Sequence, residues 1–237
     1  MASWQTSVRD VVRSALVEKV DRNHEETDRA ILRRRIVVVV TLVVGATLLG
    51  VSLSVSPGDS AFYPLTIGLA AAWIIGGFAS GPLHLGRITF KGSMRRPIVT
   101  PILIGLAAGA VFVAGALVVR QIPPLADFTE NVLAHARFGP LALIVFITLL
   151  NGVAEEIFFR GALFAAIGRK KPVLISTIVY TVVTLASGNP MLAFAAITLG
   201  FVLALQRRAS GGILAPILTH VAWSTVMVFV LPPLFVS

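Results

Sequence analysis

Arg33-Arg34-Arg35-Ile36-Val37-Val38-Val39-Val40-Thr41-Leu42-Val43-Val44-Gly45-Ala46-Thr47-Leu48-Leu49-Gly50-Val51-Ser52-Leu53-Ser54-Val55 begins with three cations and then carries no charge to its end. An uncharged run of about 20 residues covers the roughly 30 Å hydrocarbon core of a bilayer when it is helical. The stretch therefore reads as a membrane span held at its start by arginines. Further apolar runs follow at about 61–83, 98–119, 138–168, 173–187, 190–206 and 213–233. The runs at 173–187 and 190–206 are short, and Ser187-Gly188-Asn189-Pro190 between them is a turn signal that predicts a tight helical hairpin. The run at 138–168 is longer than one crossing, so its excess reads as tilt, a break near Gly161, or an interfacial turn ending at Gly168. The expected fold is all-α: a polytopic integral membrane protein of about seven transmembrane helices.

Composition excludes the other classes. Hydrophobic residues make up 56% of the 237 and charged residues 13%, and mean hydropathy is +0.89. A soluble domain carries about 25% charge, and a disordered chain is far less apolar. Cysteine is absent, which removes disulfides, thiolate metal sites, a cysteine nucleophile and lipid attachment through sulfur.

The net charge of +9 could suggest nucleic acid as a partner, so its location decides. Seventeen of the 20 Lys and Arg residues lie in clusters at 1–35, 84–97, 169–171 and 207–208, between apolar runs. Short basic loops stay cytoplasmic. With seven crossings and the amino terminus inside, all four clusters fall on the cytoplasmic face and the carboxyl terminus falls outside. The outer face receives Asp59, Arg120, Asp127, Glu130 and Arg137. Topology and the lipid bilayer with its anionic headgroups account for the charge, and no nucleic acid is needed.

Residues 1–35 form a cytoplasmic leader. Trp4, Val8, Val11, Val12, Ala15, Leu16 and Val20 recur at helical spacing, which predicts an amphipathic helix on the membrane surface, although a solvated leader fits as well. Asn23 followed by Glu26 predicts a second short helix running into Arg33–Arg35. The leader is too long and polar for a cleavable signal peptide, so the first span is expected to act as its own insertion signal. Residues 36–97 then hold the first two spans and their basic loop. Gly77–Gly81 and Gly105–Gly109 have the spacing that lets helices approach closely, read here as internal packing.

One segment places charges at membrane depth, where an ionisable residue is a functional candidate by default. It reads Asn151-Gly152-Val153-Ala154-Glu155-Glu156-Ile157-Phe158-Phe159-Arg160-Gly161. Asn151 and Glu155 share a helix face. Glu156 and Arg160, four apart, are placed to pair, which leaves Glu155 about 100° around the helix and free to act as a general base. A buried network that only fixes packing is the competing reading, though apolar residues would serve packing more cheaply in lipid. The second candidate is His220, within Pro216-Ile217-Leu218-Thr219-His220-Val221-Ala222-Trp223-Ser224, at a helix depth compatible with Glu155. Trp223 reads as packing.

These residues resemble the CAAX-protease and bacteriocin-processing (CPBP, or Abi) family of intramembrane proteases. The resemblance covers about residues 100–233, within a core at 98–237. Its first motif, Glu-Glu-x-x-x-Arg, stands complete as Glu155, Glu156 and Arg160, and the third, His-x-x-x-Asn, appears as His220 with Ser224 in the asparagine position. The second, Phe-x-x-x-His, is altered: the matching place reads Tyr180-Thr181-Val182-Val183-Thr184, with threonine where the histidine belongs. The resemblance implies a bacterial plasma-membrane endopeptidase acting on a membrane-associated peptide, by a glutamate-type or a metal-dependent mechanism. Asn151, Tyr180, Thr184 and Ser224 are candidate lining residues, with the Thr184 side chain expected to face Glu155 and His220. A hydrolytic zinc needs about three protein ligands plus water, whereas Glu155 and His220 supply two. The residues therefore disfavour zinc and leave water activation by Glu155, with His220 as electrophile or proton shuttle. An inactive, CPBP-like scaffold or binding protein is the alternative. A proton-coupled transporter fits less well, because no internal repeat is present.

Overall fold

The computed structural model describes residues 8–21, 26–90 and 92–235. Helices α2 (Asp28–Ser54), α3 (Phe62–Ser80), α4 (Val99–Val119), α6 with its continuation (Leu141–Ile167), α9 (Pro190–Ser210) and α10 (Leu214–Leu234) are each long and apolar enough to cross a bilayer. The seventh apolar segment is shorter. Helix α8 (Pro172–Thr184) and a single 3₁₀ turn (Leu185–Ser187) follow α7 (Phe164–Ile167), and 13 helical residues rise only about 20 Å. Of the seven expected spans, six are helices long enough to cross a bilayer and the seventh is not. The tip of the α8–α9 hairpin nonetheless reaches the far layer of the bundle, because Asn189 Nδ2 donates to the Phe128 carbonyl at 2.6 Å.

Large apolar side chains point outward all around the bundle, among them Val43, Val111 and Ile197, each more than half exposed. A water-soluble monomer does not present such a surface, whereas lipid makes it the cheap arrangement. Interior faces carry small residues instead. On α4, a Cβ at Gly105 would run into the Thr219 carbonyl of α10, and one at Gly109 would lie 2.9 Å from Val226 Cβ. A Cβ at Gly77 would lie 2.5 Å from Ile157 Cγ2. Both small-residue spacings therefore serve packing within the chain. The main apolar core gathers Val38, Leu69, Ala70, Trp73, Phe158 and Phe159, with the Trp73 and Phe158 rings stacked at 4.7 Å.

Several expectations are corrected. Among the described residues the second short helix expected before the first span is part of that span: Thr27 Oγ1 caps α2 by accepting from Ala30 N, and Arg33–Arg35 lie in its first turns. Asn23, like Trp4, lies outside the described residues. The described part of the leader, α1 (Val8–Val12) and a π turn (Arg13–Val17), docks on protein. Ala15 is buried, Val20 N donates to the Ala209 carbonyl, and Arg208 donates to the Leu16 carbonyl. The basic loop after α3 forms a hairpin of β1 (Ile88–Phe90) and β2 (Ser93–Arg95). Its approach strand is stitched to the start of α10, where Ile213 N and Leu214 N donate to the carbonyls of His84 and Leu85. Gly86 and Gly212 meet there with no room for a Cβ on Gly212. The stretch expected as an outer loop is a further helix, α5 (Pro123–Arg137), started by Pro123 and tied down by His135 Nε2 at 3.0 Å from the Val55 carbonyl.

Candidate active site

The 138–168 run contains no break. From Glu156 to Leu163 the helix widens to the i→i+5 pattern of a π-helix and then resumes as α7. Such insertions are rare and cluster at functional sites. All eight residues of this π segment are buried, Glu156 fully and Arg160 to 1% exposure. The π register retains the pairing of Glu156 with Arg160 four residues on, at 2.9 Å.

His220 joins this pair. Its Nδ1 lies 2.9 Å from the same Glu156 Oε1 that receives Arg160. A carboxylate paired to a guanidinium accepts, so Nδ1 carries a hydrogen and Nε2 is the ring nitrogen left outside this bond. The ring lies on Gly152, where a Cβ would be 3.6 Å from Nε2. The division of roles expected between the acids thus changes in one respect: the histidine is bonded to Glu156.

Glu155 is not free either. Tyr180 of α8 donates its hydroxyl to Glu155 Oε2 at 2.5 Å. The Arg160 guanidinium lies over the Tyr180 ring, 4.5 Å from its centroid, and donates to the Gly200 carbonyl of α9 at 3.0 Å. The five side chains form one chain of contacts: Glu155 to Tyr180, Tyr180 to Arg160, Arg160 to Glu156, Glu156 to His220. The two acids differ in access, since Glu155 is half-buried while Glu156 is sealed.

The remaining candidates sit at the margins. Thr184 donates its hydroxyl to the Tyr180 carbonyl of its own helix at 2.8 Å; among the described residues it makes no hydrogen bond to Glu155 or His220. Ser224 is buried one turn beyond His220. Asn151 donates to the carbonyls of Ile147 and Thr66 at 3.0 and 3.3 Å, and its buried Oδ1 has no partner. Trp223 packs edge-on to Phe112, ring centroids 5.2 Å apart.

Residues 137–226 match the family model described as Rce1-like, type II CAAX prenyl endopeptidase Rce1-like. This stretch is an Rce1-like domain. It contains all five side chains of the contact chain, and it agrees with the resemblance to the CPBP and CAAX proteases carried by Glu155, Glu156, Arg160 and His220. Searches of curated proteins and of solved structures give no match. The model's description names a prenyl endopeptidase for residues 137–226, and the six long apolar helices make the chain a polytopic membrane protein.

Two supports of the Rce1-like domain escaped the sequence reading. Arg207 had been assigned to a loop cluster, yet α9 continues to Ser210 and buries it, with Nε donating to the Arg160 carbonyl at 2.6 Å. Gln206 donates to Thr219 Oγ1, and Thr219 to the Pro101 carbonyl, each at 2.8 Å. A glutamine inside an apolar run was the available signal for the second. No signal separated Arg207 from its neighbours.

The family resemblance also raises a metal, and the donor set can be tested. Among the described residues no three His, Asp or Glu side chains converge closely enough to hold a metal ion. His220 Nδ1 and Glu156 Oε1 are bonded to each other, which leaves His220 Nε2 and Glu155 as the groups that could ligate, one fewer than the three protein ligands a hydrolytic zinc takes.

Proposed function

We propose that the chain is an intramembrane endopeptidase that hydrolyses a peptide bond of a membrane-associated substrate without a resident metal. The observation that carries this reading is the unlike setting of two adjacent carboxylates. Glu155 is less buried than Glu156 and keeps one oxygen outside its bond to Tyr180, the oxygen it offers to a water. As the water oxygen attacks the scissile carbonyl carbon, Glu155 takes its proton. The C–N bond then breaks as a proton passes to the amine nitrogen. Glu156 holds the His220 ring in the tautomer that leaves Nε2 free for proton transfer, a positioning role. Arg160 holds the Glu156 carboxyl group in place. The substitution of threonine at 184 leaves one histidine to do this work. The 17-to-2 bias of Lys and Arg between the loop sets further supports a cytoplasmic amino terminus and an outer carboxyl terminus in a bacterial plasma membrane. A reporter active only outside the cytoplasm should be active after Ser237 and silent after Arg96, and the reverse would overturn that orientation.

The test is cleavage of a membrane-embedded peptide by the purified chain in lipid vesicles. The parent should cleave it, a chelator should leave the rate unchanged, and His220→Phe should lower it by about 10²–10⁴-fold. Equal rates for the parent and His220→Phe would contradict the assignment. Abolition by the chelator would contradict its metal-free part.

A further inference from the structure

A cavity of about 740 Å³ opens at the basic end of the bundle, between the leader, α2, the end of α3, the π segment and α9. Five cationic side chains line it: Lys19, Arg34, Arg169, Arg207 and Arg208. Among the described residues Glu26 is the one acid on its wall, and Arg34 already engages it through two nitrogens. Arg34 is 1% exposed and is further fixed by Ser80 Oγ at 3.2 Å and the Pro82 carbonyl at 3.3 Å. The cavity is therefore lined by held charges as well as by loose surface ones.

Two observations point to an absent anion. The Nε of Arg208 is buried with no hydrogen-bond partner, although its NH2 group donates to the Leu16 carbonyl. A sealed guanidinium nitrogen left unpaired is costly. Lys19 and Arg169 likewise face no carboxylate among the described residues. His84, also on the wall and outside the spans, reports the same field. Desolvation, followed by the positive charges of Arg207 and Arg34, holds its imidazole below the usual range, with Glu26 opposing. Among the described residues three cations of this wall, Lys19, Arg169 and Arg208, have no carboxylate partner, an excess of positive charge that favours an anion.

We propose that this cavity binds a phosphate-bearing anion, with Arg208, Arg169 and Lys19 supplying the donors. Its volume exceeds a bare phosphate and lies in the range of small-molecule sites. Ile31, Leu83 and Phe164 add apolar wall beside the cations, and the cavity sits where helices end and headgroups begin. Phosphate is the shared chemistry of its two sources, the headgroup of an anionic phospholipid and the free ion. None of the five side chains of the contact chain lines the cavity, which meets that chain through Arg207 and Gly161 beside Arg160, so it stands or falls independently of the proteolytic reading.

The experiment measures retention of phosphatidylglycerol, phosphatidylcholine and inorganic phosphate by the purified full-length chain. The variants are the double substitution Lys19→Gln/Arg169→Gln and, as a control, Arg87→Gln/Arg95→Gln, which removes two cations outside the cavity. Thermal unfolding without ligand verifies that both variants fold. The cavity variant should bind the anionic ligand on the order of tenfold more weakly, and the control within about twofold of the parent. Phosphatidylglycerol retained in preference to phosphatidylcholine would identify the headgroup as the source. Binding of inorganic phosphate alone, weakened by the same variant, would identify the free ion. Equal binding by parent and cavity variant, or equal loss in the control, would overturn the proposal.

Discussion

The spans before residue 137 and the Rce1-like domain after it solve the same problem, burying helices in lipid, with different materials. In α2, α3 and α4 the contacts at membrane depth are glycine against ring, hydroxyl or backbone, namely Gly45 on Trp73, Gly76 on Thr41 and Gly105 on the Thr219 carbonyl, and the buried cation Arg34 lies at the basic end of α2. Within 137–226 the interior contacts include buried charge, with Arg160 and Glu156 nearly inaccessible and His220 and Arg207 at 6% exposure each. Close backbone approach is enough to pack a membrane bundle. The ionic interior is therefore surplus to packing, and function accounts for it best.

Breaking the ionic interior should have the largest effect. Arg160→Ala leaves Glu156 and the His220 ring without their cation and empties the space over Tyr180. A loss of about 3–5 kcal/mol is expected, read as thermal unfolding in detergent or as folded yield. A loss under about 1 kcal/mol would mean that the two halves are held together in the same way.

Close approach in the amino-terminal half comes next. Gly105→Leu forces a side chain into the Thr219 carbonyl and should destabilise by about 1–3 kcal/mol or more. Gly115→Leu on the same helix meets nothing within 4 Å and should stay within about 0.5 kcal/mol. Equal unfolding temperatures for the two variants would show that α4 does not pack on α10 as described.

How much of this was legible in sequence follows from the same contrast. Hydropathy located every apolar helix, because lipid dictates the side-chain chemistry of each turn that touches it. It misjudged the ends, extending α9 four residues too few and missing α5, since amphipathic and terminal turns lie where water and lipid meet and neither solvent decides. The carboxylates and His220 stood out because charge is rare at depth. Their partners did not. Four-residue spacing correctly paired Glu156 with Arg160, but the bonds of His220 to Glu156 and of Tyr180 to Glu155 cross between helices, and no local period encodes a contact 64 or 25 residues apart in the chain. The π register was equally hidden, as nothing in Glu156–Leu163 departs from an ordinary helical composition.

A smaller effect sharpens the comparison inside the domain itself. Tyr180→Phe keeps the ring beneath Arg160 and removes the hydroxyl that Glu155 accepts. Stability should fall by about 1 kcal/mol, while cleavage should fall by about tenfold, because the carboxylate loses the donor that orients it. A change in stability with unaltered cleavage would make Tyr180 a packing residue only.

The central claim is that adjoining carboxylates perform separate tasks, Glu155 on water and Glu156 on His220. Comparing Glu155→Gln with Glu156→Gln in one vesicle preparation, for both unfolding temperature and peptide cleavage, tests it most directly. Glu155→Gln should unfold like the parent and lose cleavage by about 10²-fold or more; Glu156→Gln should lower both, since an amide cannot balance the buried Arg160. Parental cleavage by Glu155→Gln would contradict the account and leave the domain a binding scaffold or a hydrolase with its base elsewhere.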